Sequence, residues 1–87
     1  MRIRFFGSPE CMDCMEVFVL LNKYDIDYKY IDATEDDDDI QDFCDSNEVE
    51  ELPHLQFIID EDIILQHVGP LTEEEFIGYM VDYFPEY

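Results

Sequence analysis

Basic residues are nearly missing from this chain. Four Lys and Arg stand against 24 Asp and Glu, a formal net charge of −20 over 87 residues. Nucleic acids and anionic membranes are held through positive charge, so this balance excludes both as direct partners. Long apolar runs are missing as well. The longest, Val17-Phe18-Val19-Leu20-Leu21, falls far short of the roughly 20 residues of a membrane span. Met1 to Gly7 has two early arginines but no apolar segment long enough for a secretory signal, so a cytoplasmic protein is expected. Cysteines are few and odd in number: three, two of them three positions apart. That is a poor disulfide framework for a secreted miniprotein and a reasonable inventory for a cytosolic redox or metal site. Length alone excludes barrels, doubly wound sheets and multidomain enzymes.

What is present argues for a folded chain. Hydrophobic residues make up 47% and aromatic residues 15%. Highly charged chains stay disordered when they lack such material, and this one does not lack it. One domain spanning residues 1–87, with a small core under a very negative skin, is expected.

Periodicity and punctuation divide the chain. Arg2 to Phe6 alternates and reads as a strand, closed by Gly7-Ser8-Pro9. Met12 to about Tyr24 has no Gly or Pro and places apolar residues at helical spacing. Tyr28 to Ile31 is strand-like. Thr34 is expected to cap a second helix, with Asp37 at the capping-box position and Glu35 to Asp39 in the first turn. That helix runs to about Ser46 and buries Ile40, Phe43 and Cys44. Leu55 to Ile59 and Ile63 to Val68, joined by Asp60-Glu61-Asp62, read as a β-hairpin. Thr72 with Glu75 forms a capping box for a last helix. Its apolar side is expected to hold Phe76, Ile77, Met80, Val81 and Phe84, and Pro85 ends it. The order β-α-β-α-β-β-α implies a four-stranded mixed α/β sheet, a parallel crossover followed by an antiparallel hairpin, with helices on both faces.

The chemistry sits in Cys11-Met12-Asp13-Cys14. The pair follows a strand and loop and opens a helix. Unpaired N–H groups and the helix dipole stabilise negative charge there, so a thiol at that position is drawn toward the thiolate that attacks disulfides. The second cysteine lies one turn further in. Glu10 and Asp13 flank Cys11 and oppose a further anion. Cys11 is therefore expected to be less acidic than a thiol with a lysine neighbour.

At this point the chain resembles the glutaredoxin branch of the thioredoxin superfamily over essentially its whole length. The resemblance rests on the element order, on Ser8 to Cys14 after the first strand, on Leu52-Pro53 before the third and on Gly69-Pro70 after the fourth. It implies a minimal thioredoxin fold and a single glutaredoxin-like domain. It also implies a cis bond between Leu52 and Pro53 facing the cysteines. Leu52, Pro53 and Gly69 would then bind substrate, Leu52 through its backbone. Cys11 would be the exposed nucleophile and Cys14 the buried resolving thiol of a dithiol–disulfide oxidoreductase.

This sequence departs from that branch where glutathione is held. No Lys or Arg precedes Cys11, Met12-Asp13 replaces Pro-Tyr, and Gly69 is followed by Pro70 rather than a second glycine. The Asp that would hold glutathione's amine has no clear match, with Thr72 and Glu73 nearest. Glutathione is itself net negative, so it is expected to be a poorer reductant than a reductase. No tightly bound cofactor is expected. The expected partner is a disulfide-containing protein with a basic surface, met by a monomer.

Two other classes compete. One is a non-enzymatic acidic module that imitates DNA's charge. The other is a zinc or iron–sulfur carrier, in which His54 or His67 would have to join the cysteines. Cys44 is expected to be a buried, unreactive thiol, and Asp36 to Asp39 lacks the spacing of a calcium loop.

Overall fold

A computed structural model describes residues 2–86. The elements are β1 (Arg2–Gly7), α1 (Met12–Lys23), β2 (Tyr28–Asp32), α2 (Asp38–Ser46), β3 (His54–Ile59), β4 (Asp62–Val68) and α3 (Glu73–Tyr83). The strands form one sheet in the order β2-β1-β3-β4. β1 runs parallel to β2 and antiparallel to β3, and β3 runs antiparallel to β4. This is the mixed sheet expected from the element order.

Alternation along β1 divides the interior in two. Ile3 and Phe5 point to one face, where Leu55 and Phe57 meet Val17, Leu20 and Leu21 of α1 and Phe76 of α3. Phe6 points to the other, with Ile31 and Cys44, and Ile40 and Val49 pack around them. The helices thus cover both faces. Phe5, Phe57 and Phe76 are almost completely buried, and each removes enough apolar surface to contribute about 1.5–3 kcal/mol.

α2 has nine residues and covers only part of its face. A polar network lies beneath the rest. Arg4 Nη1 donates to Gln56 Oε1 at 2.9 Å, and Gln56 Nε2 donates to Asn47 Oδ1 and Gln66 Oε1. Gln56 is fully buried inside what reads as an apolar strand, and these bonds satisfy it.

The second helix starts later than its sequence suggests. Thr34 is not its cap. Its N–H and hydroxyl both donate to Asp32 Oδ1, closing a turn after β2. Asp37 is the N-cap, accepting from the N–H groups of Asp39 and Ile40, and the acidic residues of the first turn are Asp38 and Asp39. A free Asp carboxylate is the better acceptor here, and Asp32 already occupies the threonine. Phe43 is more exposed than expected, at 38%, resting on Phe6 with the Arg4 guanidinium 4.9 Å above its ring.

In α3 the Thr72–Glu75 capping box forms as expected. Phe76 and Phe84 are buried, but Ile77 and Val81 face outward. The sheet and α1 accept only a narrow stripe of this helix. In the hairpin, Asp60 and Glu61 both have positive φ, at 49° and 72°, and Asp62 already pairs with Ile59 in the sheet. The turn is therefore two residues long, of the kind whose twist matches its strands.

Candidate active site

Cys11 and Cys14 lie where β1 has ended and α1 begins. They are joined as a disulfide, with Cα atoms 5.1 Å apart. Cys11 is itself the N-cap of α1. Its sulfur accepts from the Cys14 N–H at 3.1 Å, and its carbonyl accepts from Met15 N. A sulfur in that position faces the positive end of the helix, which favours the thiolate over the thiol. The two cysteines are not equivalent. Cys11 is half-buried, whereas Cys14 is completely buried. Cys11 thus offers surface to an incoming molecule and Cys14 offers none.

Local sequence builds this presentation. Ser8 is buried, and its carbonyl accepts from Cys11 N while its hydroxyl accepts from Glu10 N. The turn Ser8-Pro9-Glu10 thereby lifts Cys11 to the helix start. Glu10 is exposed and Asp13 half-exposed, and both lie beside Cys11 in the chain.

The Leu52–Pro53 bond is cis, as the resemblance implied. Leu52 packs against the core cluster that contains Cys14, with Cys11 at its margin. Gly69 N donates to Pro53 O at 2.8 Å, so the two loops anticipated as substrate-binding are tied together. Gly69 has φ of +93°, a conformation open to glycine and strained for any residue with a Cβ.

Gly7 reads in sequence as mere punctuation, yet it touches the site. A Cβ placed there would lie 2.9 Å from Phe5 Cε1, 3.1 Å from Tyr30 Cε1 and 3.2 Å from Cys14 Sγ. Phe5 is fully buried and has nowhere to go. Gly7→Ala is expected to cost about 1–3 kcal/mol through overpacking. Thermal or denaturant unfolding checks this, and an unchanged midpoint would show that the wall around Cys14 yields. The only sequence signal was a glycine at the end of an apolar strand.

The histidines do not join the cysteines. His54 faces the opposite side of the sheet from Cys14, edge-on to Phe6, and its Nε2 donates to Gln66 Oε1 at 2.7 Å. His54 Nδ1 is buried without a partner. His67 Nε2 donates to the Pro70 carbonyl, and its Nδ1 accepts from the Tyr79 hydroxyl at 2.7 Å. Among the described residues no three His, Cys, Asp or Glu side chains are arranged to hold a metal ion. Cys44 is a buried free thiol on α2, and burial first, then Asp45, pushes its pKa upward. A cleft of about 700 Å³ lies away from the cysteines, between α2 and the start of β1, and gathers Arg2, Arg4 and Lys29.

Solved structures share this architecture. Thioredoxin 1 from Thermosipho africanus superimposes with a TM-score of 0.75 at 20% identity, covering 98% of this chain and 96% of its own. The fold is the thioredoxin fold. A mutant thioredoxin from Halobacterium salinarum gives 0.78 at 19% identity over 94% of this chain and 73% of its own. Thioredoxin O2 from Arabidopsis thaliana, in its oxidised state, gives 0.76 at 19% identity over 95% and 74%. No family model and no curated protein matches the sequence. Within the thioredoxin fold, the paired cysteines occupy the β1–α1 junction, and the loop with cis-Pro53 packs against the same cluster. Among the described residues, no helix is long and apolar enough to cross a membrane.

Proposed function

We propose that this protein is a small dithiol–disulfide oxidoreductase that reduces protein disulfides. One observation carries the reading: Cys11, half-exposed, caps a helix with its sulfur, and a fully buried Cys14 stands within bonding reach of it. In the reduced protein, the Cys11 thiolate attacks a substrate disulfide. A mixed disulfide forms, and one substrate thiolate leaves and takes up a proton. Cys14 gives up its proton and attacks the Cys11 sulfur, forming the intramolecular disulfide and releasing the second substrate thiol. Two electrons and two protons pass to the substrate per turnover.

The oxidised protein then needs a two-electron reductant. A reductase with a basic docking surface suits a −20 chain better than glutathione, whose own negative charge meets Glu10 and Asp13 at the site. On this reading the glutaredoxin-like motifs and the thiol chemistry come without a glutathione site. The protein works in the cytoplasm as a monomer, needs no tightly bound cofactor, and chooses substrates with a positive surface. Leu52, Pro53 and Gly69 form the far wall of the substrate site. The test is reduction of insulin disulfides by the protein with dithiothreitol. A rate no higher than dithiothreitol alone rejects the proposal.

The same reading assigns pKa tuning to Asp13 and Glu10. Replacing Asp13 with Asn removes a negative charge two residues from the thiolate, so the Cys11 pKa is expected to fall. Titration of the thiolate's ultraviolet absorbance measures it. An unchanged or raised value removes the role.

A further inference from the structure

α1 needs only one side for the core. Cys14, Val17, Leu20 and Leu21 provide it. On the opposite side Met12, Met15 and Val19 are exposed by 78%, 54% and 68%. They stand at i, i+3 and i+7, one above another on a single stripe. Isolated apolar side chains on a surface need no explanation, but this row begins between the two cysteines and runs directly away from them. Other apolar side chains are exposed elsewhere, among them Phe43, Ile63, Ile64, Ile77 and Val81, but Met12, Met15 and Val19 are the ones on the helix that carries the cysteine pair. Val19 also borders a shallow groove of about 220 Å³ between α1 and the start of α3, with Glu16, Leu71 and Thr72 in its walls.

We infer that the Met12–Met15–Val19 stripe is the docking track for the substrate segment next to its disulfide. The inference rests on the oxidoreductase reading and names the substrate class. Seven helical residues advance about 10 Å, the span of three extended residues. The occupant is an extended segment with a large apolar side chain about three positions from its disulfide cysteine, flanked by Lys or Arg. The apolar group covers Met15 and Val19, and unbranched methionines adapt to its shape. The basic groups meet exposed Glu16, which flanks the stripe on α1, and exposed Glu10 just before the helix begins, which supplies the charge complementarity.

Three probes test this against pre-reduced protein in single turnover, with the protein's own dithiol as electron source. The first is a disulfide-looped peptide with leucine three positions from a cysteine, flanked by lysines. The second is the same peptide with glutamates in place of the lysines, and the third is bis(2-hydroxyethyl) disulfide. The lysine peptide is expected to react at least tenfold faster than the glutamate peptide. In Met15→Ser/Val19→Ser, the rate constant for the lysine peptide divided by that for the small disulfide is expected to fall about tenfold, or about 1.4 kcal/mol. Both substituted side chains are exposed, so the thermal midpoint serves as a check on folding. If wild type reduces all three probes and the ratio does not change in the variant, or the two peptides react alike, the track is rejected and the oxidoreductase reading stands. If wild type reduces none of them, the oxidoreductase reading fails and the track with it.

Discussion

Cys11→Ser is expected to lose disulfide reduction by at least about a thousandfold, to the background of the assay. Removing the accessible nucleophile eliminates the covalent path rather than slowing it. Cys14→Ser should behave differently. Cys11 still attacks and still expels one substrate thiol, but the mixed disulfide has no internal thiol to resolve it. The variant should accumulate one substrate molecule per chain, visible by mass, and release one thiol where wild type releases two. This difference follows from burial: the outer sulfur meets the substrate, and the inner one meets only the outer. Cys44→Ala, with its thiol buried against Phe6 and Ile31 on the far face of the sheet, should leave the rate unchanged. A Cys14→Ser variant that turns over protein disulfides like wild type, or forms no adduct, would reject the dithiol cycle.

The geometry of the candidate site is legible in the sequence because it depends on short-range features. Two cysteines three apart, a strand before them and a helix after them can all be read locally, and so can a capping box such as Thr72–Glu75. What was misread depends on neighbours distant in sequence. Thr34 looked like a cap because nothing in the chain says that Asp32 would claim its hydroxyl. Ile77 and Val81 have the right helical spacing for burial. How wide a stripe becomes buried depends on the sheet and α1, and these leave both residues in water. Gly7 carried no signal beyond punctuation, because its role comes from Tyr30 and Cys14 closing in on it. Gln56 hides within an apolar run, and its partners Arg4, Asn47 and Gln66 come from three other parts of the chain. His54 follows Pro53 and so sits near the site in sequence, but strand alternation turns it to the opposite face.

The thermal midpoint is expected to rise by at least about 10 °C between 0.05 M and 1 M NaCl at pH 7. The folded chain has a radius of gyration of 12.6 Å and carries a formal charge of −20. A sphere of that size holding this charge is disfavoured, relative to an expanded chain of about 30 Å, by on the order of 10 kcal/mol at physiological salt and about half that at 1 M. Each kcal/mol recovered moves the midpoint of a domain this small by about 4–8 °C. One effect opposes the rise. Lys23 Nζ and Glu73 Oε2 form an exposed ion pair at 2.9 Å, which salt weakens. The hydrogen bond from Lys23, then that from Tyr24, holds the Glu73 carboxyl below its ordinary value, and the same contact raises Lys23. The Glu73 contribution is present above its unfolded pKa of 4.5 and is lost as pH falls through the lowered folded value. The Lys23 contribution is present below 10.5 and is lost as pH rises through the raised value. At pH 7 the pair is therefore intact and only salt acts on it. One solvent-exposed pair is a small quantity beside the repulsion among the many unpaired carboxylates, so the net response is stabilising. The shape of the curve separates the causes. Screening acts mostly at low salt, where the Debye length shrinks fastest, whereas salting-out of apolar surface grows steadily with concentration. A midpoint that stays flat within about 2 °C, or climbs only linearly up to 1 M, would mean that the acidic skin does not strain the fold.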